Sequence, residues 1–230
     1  MLKTYDQILD LNRLGLDLET WSTTGLPQHG LDRYMTDSEF DILLAGVGSI
    51  NGTDIMLTMY DMVLGVMTNY RYDRFGNLTP TNAVKYEDPA FIRNALIRAL
   101  QGVFDPDSDR FLVAHNAEFE LKAMEFRLGM RDPVSRARYL DTAVLSRLEG
   151  GDSSLFLSSR QLTTQQKMEE GAELMPYFAW PNHLNNFTKP SKEWIESDPD
   201  ISSKWDLYIR YCLYDVISSL ELSTPGYIQG

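Results

Sequence analysis

Cysteine is nearly absent: Cys212 is the only one among 230 residues. No intramolecular disulfide can form, which suits a reducing compartment and makes the cytoplasm (a host's, if the chain is phage-encoded) the expected location. Cys212 itself is expected to pack as a small apolar group. Histidine is scarce too. His29, His115 and His183, with one cysteine, offer no zinc pattern of recognisable spacing. No apolar run approaches the roughly 18 residues that a membrane span needs, and the opening MLKTYDQILDL is too mixed for a signal peptide. Positive charge also falls short, with Lys and Arg numbering 21 against 33 Asp and Glu, a net charge of -12. That balance excludes a protein that coats nucleic acid through a broad basic surface. It leaves room for an enzyme that grips a few nucleotides and gathers carboxylates around cations.

What is present is ordinary for a globular chain, at 43% hydrophobic and 23% charged residues. A chain of this length buries about three quarters of its unfolded surface, and no linker divides it, so residues 1–230 are expected to form one domain. Residues 14–19 alternate as a strand. Residues 41–50 and 53–60 read as two more, joined by Asn51-Gly52, a strong hairpin signal. Residues 66–87 show no period and read as loop. A helix is expected from Pro89 to about Gln101, a buried strand over Phe111–Ala114, a helix from Ala117 to about Leu128, and a short strand over Tyr139–Asp141. Helical pieces follow at 142–149 and 157–178, then a polar surface loop over 182–199. The last element, roughly 202–222, carries Trp205, Ile209, Leu213, Val216 and Leu220 at spacings of three and four, an amphipathic helix. The order β-β-β-α-β-α-β-α-α predicts an α/β fold, a mixed sheet with an antiparallel hairpin and helices on both faces.

Three segments carry chemistry. In LGLDLETWS, residues 14–22, the leucines share one strand face and Asp17 and Glu19 share the other. The spacing alone is weak, since Asp37-Ser38-Glu39 repeats it without an alternating apolar run. In VAHNAEFELKAM, residues 113–124, a strand ends at Ala114 and Asn116 is the expected helix N-cap. The helix dipole accounts for acids in the first turn, but the capping-box position is Phe119, so capping does not explain Glu120. In YIRYCLYDVISSLEL, residues 208–222, Tyr211 and Asp215 lie four apart on one helix face, and Tyr211 is the only one of 12 tyrosines with an aspartate at that distance.

This succession resembles the tyrosine-type DEDD (DnaQ-like) family of 3'-5' exonucleases, most closely the proofreading exonuclease region of bacteriophage family A DNA polymerases. DLETWS, SEFDILLAGV, AHNAEFE and YCLYDV carry the resemblance, which covers about residues 13–222. It implies a ribonuclease H-like fold. It also implies that Asp17, Glu19, Glu120 and Asp215 hold two divalent cations, Mg2+ or Mn2+, and that Tyr211 completes the catalytic set. Thr20 and Asn116 would touch the nucleic-acid end, with His115 beside them as a neighbour in the substrate site rather than a metal ligand. The implied substrate is a single-stranded DNA 3' end, shortened by nucleoside 5'-monophosphates, with Phe119, Tyr177, Phe178 and Trp180 as candidate stacking partners. A monomer is expected. Asp141, also after a strand, reads as structural. The chain departs from the family in having Glu120 where Asp is common, and in ending at Gly230 without a polymerase domain, so that any proofreading would serve a separately encoded polymerase. Two rival readings remain: an exoribonuclease of the same fold, and a non-catalytic replication accessory that binds nucleic acid.

Overall fold

The computed structural model describes residues 12–86, 88–105, 107–130, 138–148, 150, 154, 155, 157, 158, 168 and 171–223. Its frame is one seven-stranded mixed sheet: β1 (Arg13–Trp21), β2 (Asp41–Asn51), β3 (Asp54–Asp61), β4 (Val66–Tyr72), β5 (Leu78–Lys85), β6 (Phe111–Ala114) and β7 (Tyr139–Asp141), in the order β5-β4-β3-β2-β1-β6-β7. Strands β1 to β5 pair antiparallel in succession, while β6 and β7 join parallel. Around it lie α1 (Leu26–His29), α2 (Leu31–Met35), α3 (Pro89–Phe104), α4 (Ala117–Leu128), α5 (Thr142–Leu148), α6 (Gly171–Phe178), α7 (Lys192–Ser197) and α8 (Pro199–Leu222). Among the described residues, no helix is long and apolar enough to cross a membrane.

The two sheet faces carry separate cores. Leu14, Leu16 and Leu18 of β1 pack with Ile92, Leu96 and Leu100 of α3 and with Leu121 and Met124 of α4. On the other face, Trp21, Leu57 and Met59 pack with Trp205, Tyr208, Cys212 and Val216 of α8 and with Phe178 of α6. The alternation along β1 therefore directs its leucines to one core and Asp17 and Glu19 to the α8 side. Three glycines bring α8 close. A Cβ on Gly15 would lie 2.8 Å from Leu220 Cγ, one on Gly46 2.9 Å from Val216 Cγ2, and one on Gly48 2.9 Å from Val216 Cγ1. Gly15 pairs with Gly48, and Asp17 with Gly46, so this bed runs directly under the first acid.

Several sequence expectations shift. The hairpin turn is Gly52-Thr53 rather than Asn51-Gly52, because Asn51 still pairs with Asp54, and Gly52 alone has positive φ, +64°. This is the arrangement in which glycine takes the first central position of a two-residue turn. Within the span 66–87 that reads as loop, β4 and β5 extend the sheet. Their residues are mostly half-buried or exposed on both faces, so no apolar period marks them. Pro80 fits because β5 is an edge strand. The span 182–199 holds a 3-10 turn at His183–Asn185 and helix α7, nucleated by local caps: Asn182 accepts from the Leu184 amide and Ser191 from the Trp194 amide. Helices α1 and α2 had no sequence counterpart, α3 runs on to Phe104, and α8 starts at Pro199 behind an Asp198 cap. Of the expected helix over 157–178, Leu157, Ser158 and α6 are helical, whereas 159–167, 169 and 170 lie outside the described residues.

Asp61, at the end of β3, is buried beneath α8. It accepts hydrogen bonds from Trp205 Nε1 at 2.7 Å and from the Val63 and Leu64 amides at 3.0 and 2.8 Å. Burial pushes its carboxyl up from 3.8 to about 6, against the pull of the Leu64, Trp205 and Val63 hydrogen bonds. The folded state therefore holds the proton more tightly than the unfolded chain. The stability this confers is complete below about pH 4 and is lost as pH rises to about 6, an effect of about 3 kcal/mol. Urea midpoints across this interval should fall more steeply for the wild type than for Asp61→Asn, which cannot titrate there. Equal slopes would refute the assignment.

Candidate active site

The acids come from three elements, β1, α4 and α8. Strand β1 runs beyond the end of β6, since their pairing stops at Gly15 and Val113. The chain leaving β6 turns into α4, and the carboxylate of Glu120 in its first turn accepts a hydrogen bond from the Leu18 amide of β1. This places Glu120 behind Asp17 and Glu19. Burial first, then the charge of Asp17 and of Glu19, push its carboxyl well above the usual carboxylate range. Its Oε2 is buried and has no hydrogen-bond partner among the described residues.

A β-bulge lies beside Glu19, where the register with β2 skips Leu43 between Glu19 and Thr20. Bulges re-aim side chains at such sites. Here Leu43 and Leu44 both enter the α8-side core. From across the cleft, α8 presents Tyr208, Tyr211, Cys212 and Asp215, all buried. The Tyr208 hydroxyl donates to Glu19 Oε2 at 2.6 Å. Tyr211 and Asp215 share a side-chain hydrogen bond. Burial, followed by the charges of Asp215, Glu19 and Asp17, push the Tyr211 phenol far above its ordinary value, so the hydroxyl keeps its proton.

Asp17, Glu19, Thr20, His115, Asn116, Tyr211 and Asp215 line one cleft of about 760 Å³, while Glu120 opens on the neighbouring depression with Asp141 and Arg147. The structure thus brings all the sequence-derived acids and Tyr211 to one place. No protein-family model matches the chain, and no curated protein matches it. Its chemistry must therefore be read from these side chains.

Asp17, Glu19 and Cys212 form a cluster able to hold a metal ion, their ligand atoms all within 4.8 Å of one another. Within it, Cys212 Sγ donates to the Asp17 carbonyl at 3.5 Å. Burial, with Asp17 and Glu19 nearby, pushes its thiol up, and the two carboxylates supply the oxygen donors of the cluster. Oxygen donors of this kind suit a hard divalent cation. The buried, unbonded Glu120 Oε2 fits the same demand.

The remaining predicted residues fall into two groups. Thr20 Oγ1 is 2.8 Å from Tyr34 Oη, and burial pushes that phenol up to about 12. His115 Nδ1 is 3.0 Å from Thr142 Oγ1, which holds the ring at the cleft edge. Asn116 stands at the N-cap of α4, but with φ of +60° its side chain makes no capping bond. Asp141 caps instead, accepting from the Asn116 and Ala117 amides at 3.2 and 3.1 Å and from the Ala143 amide at 2.9 Å, so one carboxylate fixes the starts of α4 and α5. Of the stacking candidates, Phe119 and Trp180 line the cleft. Phe178 is core and Tyr177 packs against it, because both lie on the face of α6 turned toward α8.

Sequence reading missed Tyr34, Tyr208 and the role of Asp37. Asp37 accepts from Ser22 Oγ at 2.9 Å, Thr23 Oγ1 at 2.5 Å, the Thr24 amide at 2.7 Å and the Glu39 amide at 2.9 Å. Despite a desolvation cost, these bonds hold its carboxyl well below the usual range. The D-x-E that looked like a decoy thus anchors the Thr23-Thr24 wall of the cleft.

Proposed function

We propose that the chain is a metal-dependent 3'-5' exonuclease of the tyrosine-type DEDD kind on a ribonuclease H-like fold, acting on single-stranded DNA ends, in phage replication or proofreading. The observation that carries this reading is the meeting of Asp17, Glu19, Tyr211 and Asp215 of β1 and α8 in one cleft, with Glu120 of α4 bonded to β1 behind Asp17 and Glu19. Asp17, Glu19, Glu120 and Asp215 would hold two divalent cations, Mg2+ or Mn2+, which supply a nucleophilic water near neutral pH and charge stabilisation for an in-line displacement at phosphorus.

The chain's own groups do the positioning. Glu19 accepts a proton-bearing partner on one side through Tyr208 and faces the cleft on the other. Tyr211, kept protonated, orients the attacking water by hydrogen bonding and is no base. Phe119 and Trp180 offer apolar surface to the terminal base, and the Asn116 side chain, excused from capping by Asp141, is available to the sugar-phosphate. This recognition tolerates any sequence because it uses ring faces and backbone.

A 5'-labelled single strand incubated with Mg2+ or Mn2+ should yield a ladder shortening from its 3' end, abolished by chelator. A matched RNA strand run beside it separates the deoxyribonuclease from the ribonuclease reading. Intact DNA beside a shortened RNA would favour the ribonuclease, and both strands intact under every metal condition would overturn the proposal in favour of a binding accessory.

A further inference from the structure

We propose that Tyr208 is a positioning residue for Glu19, fixing the carboxylate plane in which Glu19 meets a divalent cation. This rests on the nuclease reading above and adds to it a residue outside the acid-and-tyrosine set. Tyr208 is fully buried and Glu19 is 7% exposed, so their 2.6 Å hydrogen bond is shielded from water. A hydroxyl held this way limits the orientations open to the Glu19 carboxylate by tying down Oε2.

The Tyr208 ring is itself immobilised. It stacks on Phe178 with centroids 5.1 Å apart and on Tyr211 at 6.2 Å with planes 3° apart, while Phe178 packs edge-on against Trp205 at 4.9 Å. Gly171, the first residue of α6, abuts Tyr211 so closely that any side chain there would collide with the ring. One rigid aromatic stack thus serves two groups of the cleft: its hydroxyl end holds Glu19 and its flat face backs Tyr211. Groups that orient a metal ligand without touching the metal are worth roughly 10- to 100-fold in metal affinity.

The test is Mn2+ binding by calorimetry alongside cleavage rates for the wild type, Tyr208→Phe, Glu19→Gln and the double variant. Tyr208→Phe keeps the ring stack, and circular dichroism checks its fold. It should weaken the Mn2+ Kd by roughly 10-fold or more and shift the metal dependence of cleavage to higher concentration. Because Tyr208 acts through Glu19, adding Tyr208→Phe to Glu19→Gln should change Kd by less than about twofold. An unchanged Kd in Tyr208→Phe, or losses that add in the double variant, overturns the inference. A wild type that binds Mn2+ but cleaves nothing overturns the nuclease reading and leaves the Kd comparison to decide Tyr208. A wild type that does neither overturns both.

Discussion

Asp17→Asn should lower the cleavage rate by roughly three orders of magnitude or more, the scale on which one member of a jointly acting catalytic set is felt. The same change should make the metal-free protein more stable. Asp17 stands among Glu19, Glu120 and Asp215, and its charge is one of the causes that push the Glu120 carboxyl up. Removing one like charge from such a partly buried group relieves about 1 to 3 kcal/mol at an effective dielectric near 20. Divalent cation offers the wild type the same relief by binding, worth about 2.7 kcal/mol at a hundred times Kd. The expected pattern in thermal scans is therefore crossed. Without metal, Asp17→Asn melts above the wild type; with Mn2+, the wild type rises and the variant hardly moves. Active sites commonly trade stability for function in this way. If Asp17→Asn cleaves within tenfold of the wild type, or melts lower in the absence of metal, Asp17 has a structural role and the cation-holding arrangement is wrong.

The segments that carry the acids were legible because each is written locally. Leu14, Leu16 and Leu18 alternate with Asp17 and Glu19 at the strand period, and Trp205, Cys212 and Val216 line α8 at the helix period. What the sequence concealed depends on partners far along the chain or on backbone alone. Strands β4 and β5 exist because β3 offers an unpaired edge, and their side chains face solvent too evenly to leave a pattern. Tyr208 meets Glu19 across 189 positions, and only its place one turn before Tyr211 on α8 could have drawn notice. Asn116 is the natural cap residue by type, yet Asp141, brought alongside by β7, supplies the oxygens instead. The candidate site is legible as a set of side chains, while the supports that hold it are tertiary.

Gly46→Val tests the support on which the cleft depends most. Gly46 pairs with Asp17 across the β1–β2 ladder and lies directly under α8. A Cβ at this position would fall 2.9 Å from Val216 Cγ2 and 3.1 Å from Cys212 Sγ, with the Cys212 carbonyl at 3.6 Å behind them. The backbone of α8 limits how far these atoms can retreat, so the helix must lift. Overpacking of this kind costs about 1 to 3 kcal/mol. Its effect on catalysis should exceed its effect on stability, because Tyr211 and Asp215 flank Cys212 on the helix and move with it. A displacement of about 1 Å in such a set is worth about 100-fold in rate. Leu100→Ala supplies the comparison: Leu100 of α3 is fully buried in the core on the opposite sheet face, with Leu14 and Leu16 of β1, and its truncation should cost about 2 to 5 kcal/mol. At a temperature well below both midpoints, kcat for Gly46→Val should be about 100-fold down while that for Leu100→Ala stays near the wild type. Equal kcat in the two variants would mean that α8 can shift without disturbing the site, and the glycine bed would then be a packing feature alone.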